Sequence, residues 1–126
     1  TDEGISFLIR AGDKTFFHAG DLNNWHWNEE CDAAEAAGYE NAFLRELEAI
    51  QSKCAKMDAA MFPLDPRLGK DYAKGAVQFL QAIDVNLFAP MHFGTDYACV
   101  QQFANYAKAH CGQYAAWEHR GQTIQF

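Results

Sequence analysis

Three residues of this sequence carry types and positions that can do chemistry together: Asp21, Asp65 and His92. Each stands where an apolar run ends. Thr15-Phe16-Phe17 runs through His18-Ala19-Gly20 into Asp21, the run from Met61 ends in Asp65, and the run from Asn86 ends at His92. A glycine lets the backbone turn sharply, and a strand fixes where the next side chain points. A carboxylate and an imidazole delivered from different strand ends are the usual ligands of a hydrolytic metal site. Zinc accepts both, and a catalytic zinc keeps one position for water. A bound divalent ion lowers the pKa of that water to about 7 and so supplies a nucleophile at neutral pH. His18 and His26 are candidates for outer-shell donors, further ligands or substrate contacts, and Asp65 and Arg67 for substrate contacts.

Plainer roles compete for several of these. His18 lies inside a strand run, where a packed histidine with one hydrogen bond is the simpler reading. Asp65 precedes a proline and serves equally as a turn former. His110 closes a helix stripe and reads as a C-terminal cap, and His119 lies in a solvated turn. Trp25 and Trp27 read as loop anchors. Asp21 and His92 have no such alternative, since neither is needed for capping or packing where it stands. No residue is singled out as a catalytic acid or base.

The elements that must position these residues alternate. Ile5–Arg10 and Thr15–His18 form a hairpin around a Gly-Asp turn. Cys31 to about Ala55 is helical, with Phe43, Leu47, Ile50, Cys54 and Met57 as one stripe, and Gly38 leaves open a break into two helices. A strand at Ala59–Pro63, a helix from about Asp71 to Ile83, and a strand at Val85–Ala89 follow. Thr95 caps a helix from Asp96 to Ala109, striped by Tyr97, Val100, Phe103 and Ala107. Tyr114–Trp117 and Thr123–Phe126 read as two closing strands. The fold class is therefore α/β, a layered single domain over residues 1–126.

Composition sets the limits. The 126 residues are 49% hydrophobic and hold 17 acidic against 10 basic side chains, a formal charge of -7. With no basic run, that balance argues against nucleic acid or an anionic membrane surface as partner. No apolar run approaches the roughly 20 residues of a membrane span. Cys31, Cys54, Cys99 and Cys111 are too dispersed for a metal knuckle; four cysteines allow a disulfide framework, but reduced, partly buried thiols of a cytoplasmic protein are the preferred reading. Thr1-Asp2-Glu3-Gly4 reads as the middle of a longer chain. No glycine-rich phosphate loop and no GxSxG elbow are present.

TDEG-SFLI, KTFFHAGDLNNWHW, PLDPRLG-DY-G and LFAPMHFGTDY, in that order, resemble the metallo-β-lactamase superfamily, nearest its lactonase-like and RNase Z-like hydrolases. The resemblance spans nearly the whole chain and implies the C-terminal half of an αββα sandwich. It implies that Asp21 bridges two metal ions and that His92 completes the second ion's shell; His26, Asp65, Arg67 and His18 remain the candidates from the residues themselves for substrate contacts or outer-shell partners. The implied cofactor is a divalent metal, zinc before manganese or iron. The implied substrate is a small ester, lactone or phosphodiester.

One departure governs that reading. The superfamily's HxHxDH cluster is missing, and Trp25-His26-Trp27 supplies only one histidine. The expectation is a partial hydrolase domain, not competent alone and able to lack its metal. Its sheet face would pair with its own N-terminal half or with a second copy. The alternative is a non-catalytic assembly module on the same fold.

Overall fold

The computed structural model describes residues 4–25 and 32–126, so His26, Trp27 and Cys31 lie outside the described residues. β1 (Phe7–Ala11) and β2 (Lys14–His18) form the expected antiparallel hairpin, with Leu8 opposite Phe17 and Ile9 opposite Phe16. α1 (Ala33–Lys53) then leads to β3 (Lys56–Pro63), α2 (Lys74–Ala82) to β4 (Asp84–Met91), and α3 (Tyr97–Gln102) with α4 (Ala104–His110) to β5 (Gln113–Tyr114). The strands make one sheet in sequence order, parallel from β2 to β5. The domain is thus α/β with a mixed five-stranded sheet.

Crossovers between parallel strands share one hand. Because the strand order also advances in one direction, the helices gather on one face. There Phe17, Ala60, Phe62 and Phe88 of the sheet pack against Phe43 and Leu47 of α1, Phe79 of α2 and Val100 of α3. Phe62 and Phe79 stack with ring centroids 4.8 Å apart. Among the described residues the opposite face carries a small buried cluster of Ala59, Leu87 and Ala115, flanked by Phe16, Trp117 and Ile124. Cross-strand partners share a face, so Phe7 and Ile9 extend it, 53% and 48% exposed.

Several elements differ from the sequence reading. α1 runs unbroken through Gly38, starts at an Asp32 N-cap and ends at Cys54, so Met57 belongs to β3 and not to the helix stripe. A 3-10 turn, Pro66–Asp71, precedes α2, which begins later than expected. The third helical stretch is capped by the Asp96 carboxylate, which accepts from Cys99 N, rather than by Thr95, and it breaks at Phe103. Residues 115–126 form no strand, although Trp117 Nε1 donates to Pro90 O and holds this segment to β4.

Candidate functional site

Parallel order places the carboxyl ends of β2, β3 and β4 along one edge of the sheet, the edge at which open α/β sheets hold ligands. Asp21, Asp65 and His92 follow those three ends, and the structure brings them together. His92 Nδ1 lies 3.1 Å from Asp65 Oδ2, and His92 Nε2 lies 3.1 Å from Asp21 Oδ1. The neutral ring can donate to only one of them at a time.

Asp65 is the anchor of the group. It is 1% exposed, caps the 3-10 turn by accepting from Arg67 N at 3.0 Å, and takes both ends of the Arg67 guanidinium. The turn-former and site readings of Asp65 therefore hold together. Burial pushes its pKa up, but the Arg67 side chain, backbone N–H and charge, together with His92, outweigh that and hold it below the ordinary value. Arg67 itself is 64% exposed, so it stands between the buried carboxylate and solvent.

His92 is the described non-glycine residue with a positive φ, 70°. That left-handed backbone is uncommon for a residue with a side chain and gathers where structure over-determines it. Here two carboxylates hold the ring, and the Trp25 ring lies against it with centroids 5.6 Å apart.

Asp21 is held from behind. Gly20 has φ of +61°, and a Cβ there would fall 2.2 Å from Ile5 O. Ser6 Oγ donates to Ala19 O at 2.7 Å, and Trp25 Nε1 donates to Asp21 O at 2.9 Å. His18 serves this turn too, since its Nδ1 accepts from Gly20 N at 3.0 Å. It is a local fastener, as the plainer reading has it. His110 bonds back to Tyr106 O, and His119 Nδ1 bonds to Arg120 O. His26 lies outside the described residues.

Sequence reasoning passed over Asn23 and Asn24, which are 3% and 0% exposed. Asn23 Oδ1 accepts from Asn24 N, and Asn24 Nδ2 donates to Gln78 Oε1 at 3.1 Å. Gln78 Nε2 donates to Glu40 Oε1 at 2.9 Å, and Lys74 lies 3.4 Å from the same carboxylate. Among the described residues Asn23 Nδ2 and Asn24 Oδ1 have no hydrogen-bond partner. A buried polar atom left so costs roughly 1–3 kcal/mol. The available signal was a pair of amides two and three positions after the candidate ligand Asp21.

The donor set suits a divalent cation in part. Two ligands at zinc–ligand distances in a tetrahedron are about 3.3 Å apart, close to the 3.1 Å between His92 Nε2 and Asp21 Oδ1. Asp65 on the other ring nitrogen is the carboxylate–histidine arrangement that orients metal ligands. Among the described residues no group of three or more His, Cys, Asp and Glu side chains is arranged to hold a metal ion. Also among the described residues, no helix is long and apolar enough to cross a membrane. Comparison of the chain with protein-family models, with curated proteins and with solved structures finds no match.

Proposed function

We propose that this chain is part of a metal-dependent hydrolase of the metallo-β-lactamase type, with Asp21 and His92 as metal ligands. One observation carries the reading: His92 has Asp65 on Nδ1 and Asp21 at Nε2, so the ring is oriented from one side and offered with a carboxylate on the other. Asp65 fixes the ring, and Arg67 keeps Asp65 ionised. A divalent metal, zinc before manganese or iron, would supply an activated water there. The substrate would be a small ester, lactone or phosphodiester. Its other ligands would come from residues of this same chain outside the described ones, His26 among them.

Zinc titration of the purified chain by calorimetry tests this. One saturable site, lost in both Asp21→Ala and His92→Ala and competed by chelator, is expected. No zinc binding by the wild-type chain would overturn the assignment.

A second reading, an assembly module, is favoured by the sheet face. Parallel sheets are normally covered on both faces, yet Phe7 and Ile9 lie half-exposed beside Phe16, and Phe126 packs edge-on against Phe16. A second layer, from an N-terminal half of the same protein or from a second copy, would cover that face. Light scattering at micromolar concentration is expected to show a species above the 14.2 kDa monomer that Ile9→Lys dissociates. A clean monomer would sink the second-copy form of this reading.

A further inference from the structure

We propose that Asn24, Gln78 and Glu40 form a positioning relay that sets the reach of Asp21 toward His92. The starting point is an imbalance between the two sides of the histidine. Asp65 is buried and fixed by its own 3-10 turn and by Arg67. Asp21 is 62% exposed at its side chain and follows a glycine with a left-handed backbone. The bonds at Ala19 and Gly20 hold the backbone on the β2 side of Asp21. On its other side the constraint comes through the loop that follows.

That loop is docked by amides rather than by apolar contact alone. Asn24 is fully buried and donates to Gln78 on α2, and Gln78 donates in turn to Glu40 on α1. The relay therefore ties the loop after β2 to two helices at once. α2 is shaped for it: a Cβ at Gly75 would fall 2.0 Å from Asn23 Oδ1 and 2.9 Å from Asn24 N. The glycine admits the amide pair against the helix. From there Trp25 Nε1 returns to Asp21 O while its ring lies against His92. The loop from Asp21 to Trp25 is thus pinned at Asn24 and closed onto His92 at Trp25.

Apolar side chains could fill this space without leaving Asn23 Nδ2 and Asn24 Oδ1 unpaired. Directional bonds do what apolar packing does not: they fix the loop's register along α2. Among the described residues Asn24, Gln78 and Glu40 make no hydrogen bond to Asp21 or His92, so their role is positioning and not catalysis.

The test is the ring nitrogen signals of His92 by long-range proton–nitrogen NMR of the labelled chain, without metal. Asp21→Asn identifies the response of Nε2 to loss of the carboxylate. Gln78→Leu is expected to shift Nε2 in the same direction while Nδ1, held by Asp65, stays as in the wild type. Glu40→Ala removes the acceptor of Gln78 at a half-exposed position, so it keeps the question answerable where Gln78→Leu fails to fold. A folded variant of either kind with wild-type Nε2 and Nδ1 signals overturns the proposal, and a lowered thermal midpoint alone does not rescue it. A second measurement rests on the metal reading: zinc affinity in Gln78→Leu is expected to fall by about tenfold, the low end of the loss for a direct partner of a metal ligand, because Gln78 acts one step further out. A wild-type chain that binds no zinc removes the metal reading and leaves the NMR result to decide the relay.

Discussion

Asp65 Oδ2 and His92 Nδ1 lie 3.1 Å apart and join the ends of β3 and β4 across 27 residues of chain. One partner is buried and the other faces the rim, so the contact passes the constraint of the interior to an exposed side chain. This makes Asp65 the residue on which the group's geometry depends, although it is not itself at the surface.

Acid should reveal it. The folded carboxyl of Asp65 holds its proton less tightly than an unfolded one, whose ordinary value is 3.8. Its contribution to stability is therefore complete above that value and is lost as the pH falls from 3.8 toward the lower folded pKa. Urea unfolding from pH 2 to 6 should show a steeper loss for the wild type than for Asp65→Asn over the acid part of that range. Parallel curves would refute the linkage.

Arg67→Met should destabilise the chain by about 1–3 kcal/mol, because it leaves a buried carboxylate without its cation. The figure stays below that for a fully buried pair because Arg67 is mostly exposed. Chemical denaturation at pH 7 measures it, and a change under half a kilocalorie would count against the pairing.

Gly20→Ala should cost roughly 1–3 kcal/mol from left-handed backbone strain alone, with more from the clash against Ile5 O. The urea midpoint should fall with an unchanged slope. Wild-type stability in this variant would mean that the turn before Asp21 is not the one described.

Cys99 should resist alkylation. Burial, reinforced by the charges of Asp96 and Asp65, pushes its thiol up to about 12. At pH 8 only about one part in ten thousand would be thiolate, the reactive form. Mass spectrometry after iodoacetamide should find Cys99 unmodified in the native chain and modified in urea. Equal rates in both states would contradict its placement.

The convergence of Asp21, Asp65 and His92 was legible because strand ends can be read from apolar runs, and parallel order puts those ends on one edge. Helix limits were less legible for local reasons. Thr95 and Asp96 are both good caps, and the choice between them rests on backbone angles that neither side chain reveals. The break at Phe103 leaves the apolar stripe intact, so periodicity carries no trace of it. Asn23 and Asn24 looked like loop residues because burial of an amide depends on its partners, and Gln78 and Glu40 lie far along the chain. Thr123–Phe126 alternates like a strand, yet it has no ladder partner in the sheet.

The contact between His92 and Asp21 spans 71 residues. Closing so long a loop costs chain entropy, and the contact requires both intervening crossovers to be in place. A chain with β2 and β4 not yet aligned has no rim site at all. Any ion or substrate that binds between these two side chains therefore selects the folded ensemble and raises the free energy of global unfolding by mass action. Protection of the central strand amides against hydrogen exchange would rise with ligand concentration, reporting occupancy of the rim from the middle of the sheet.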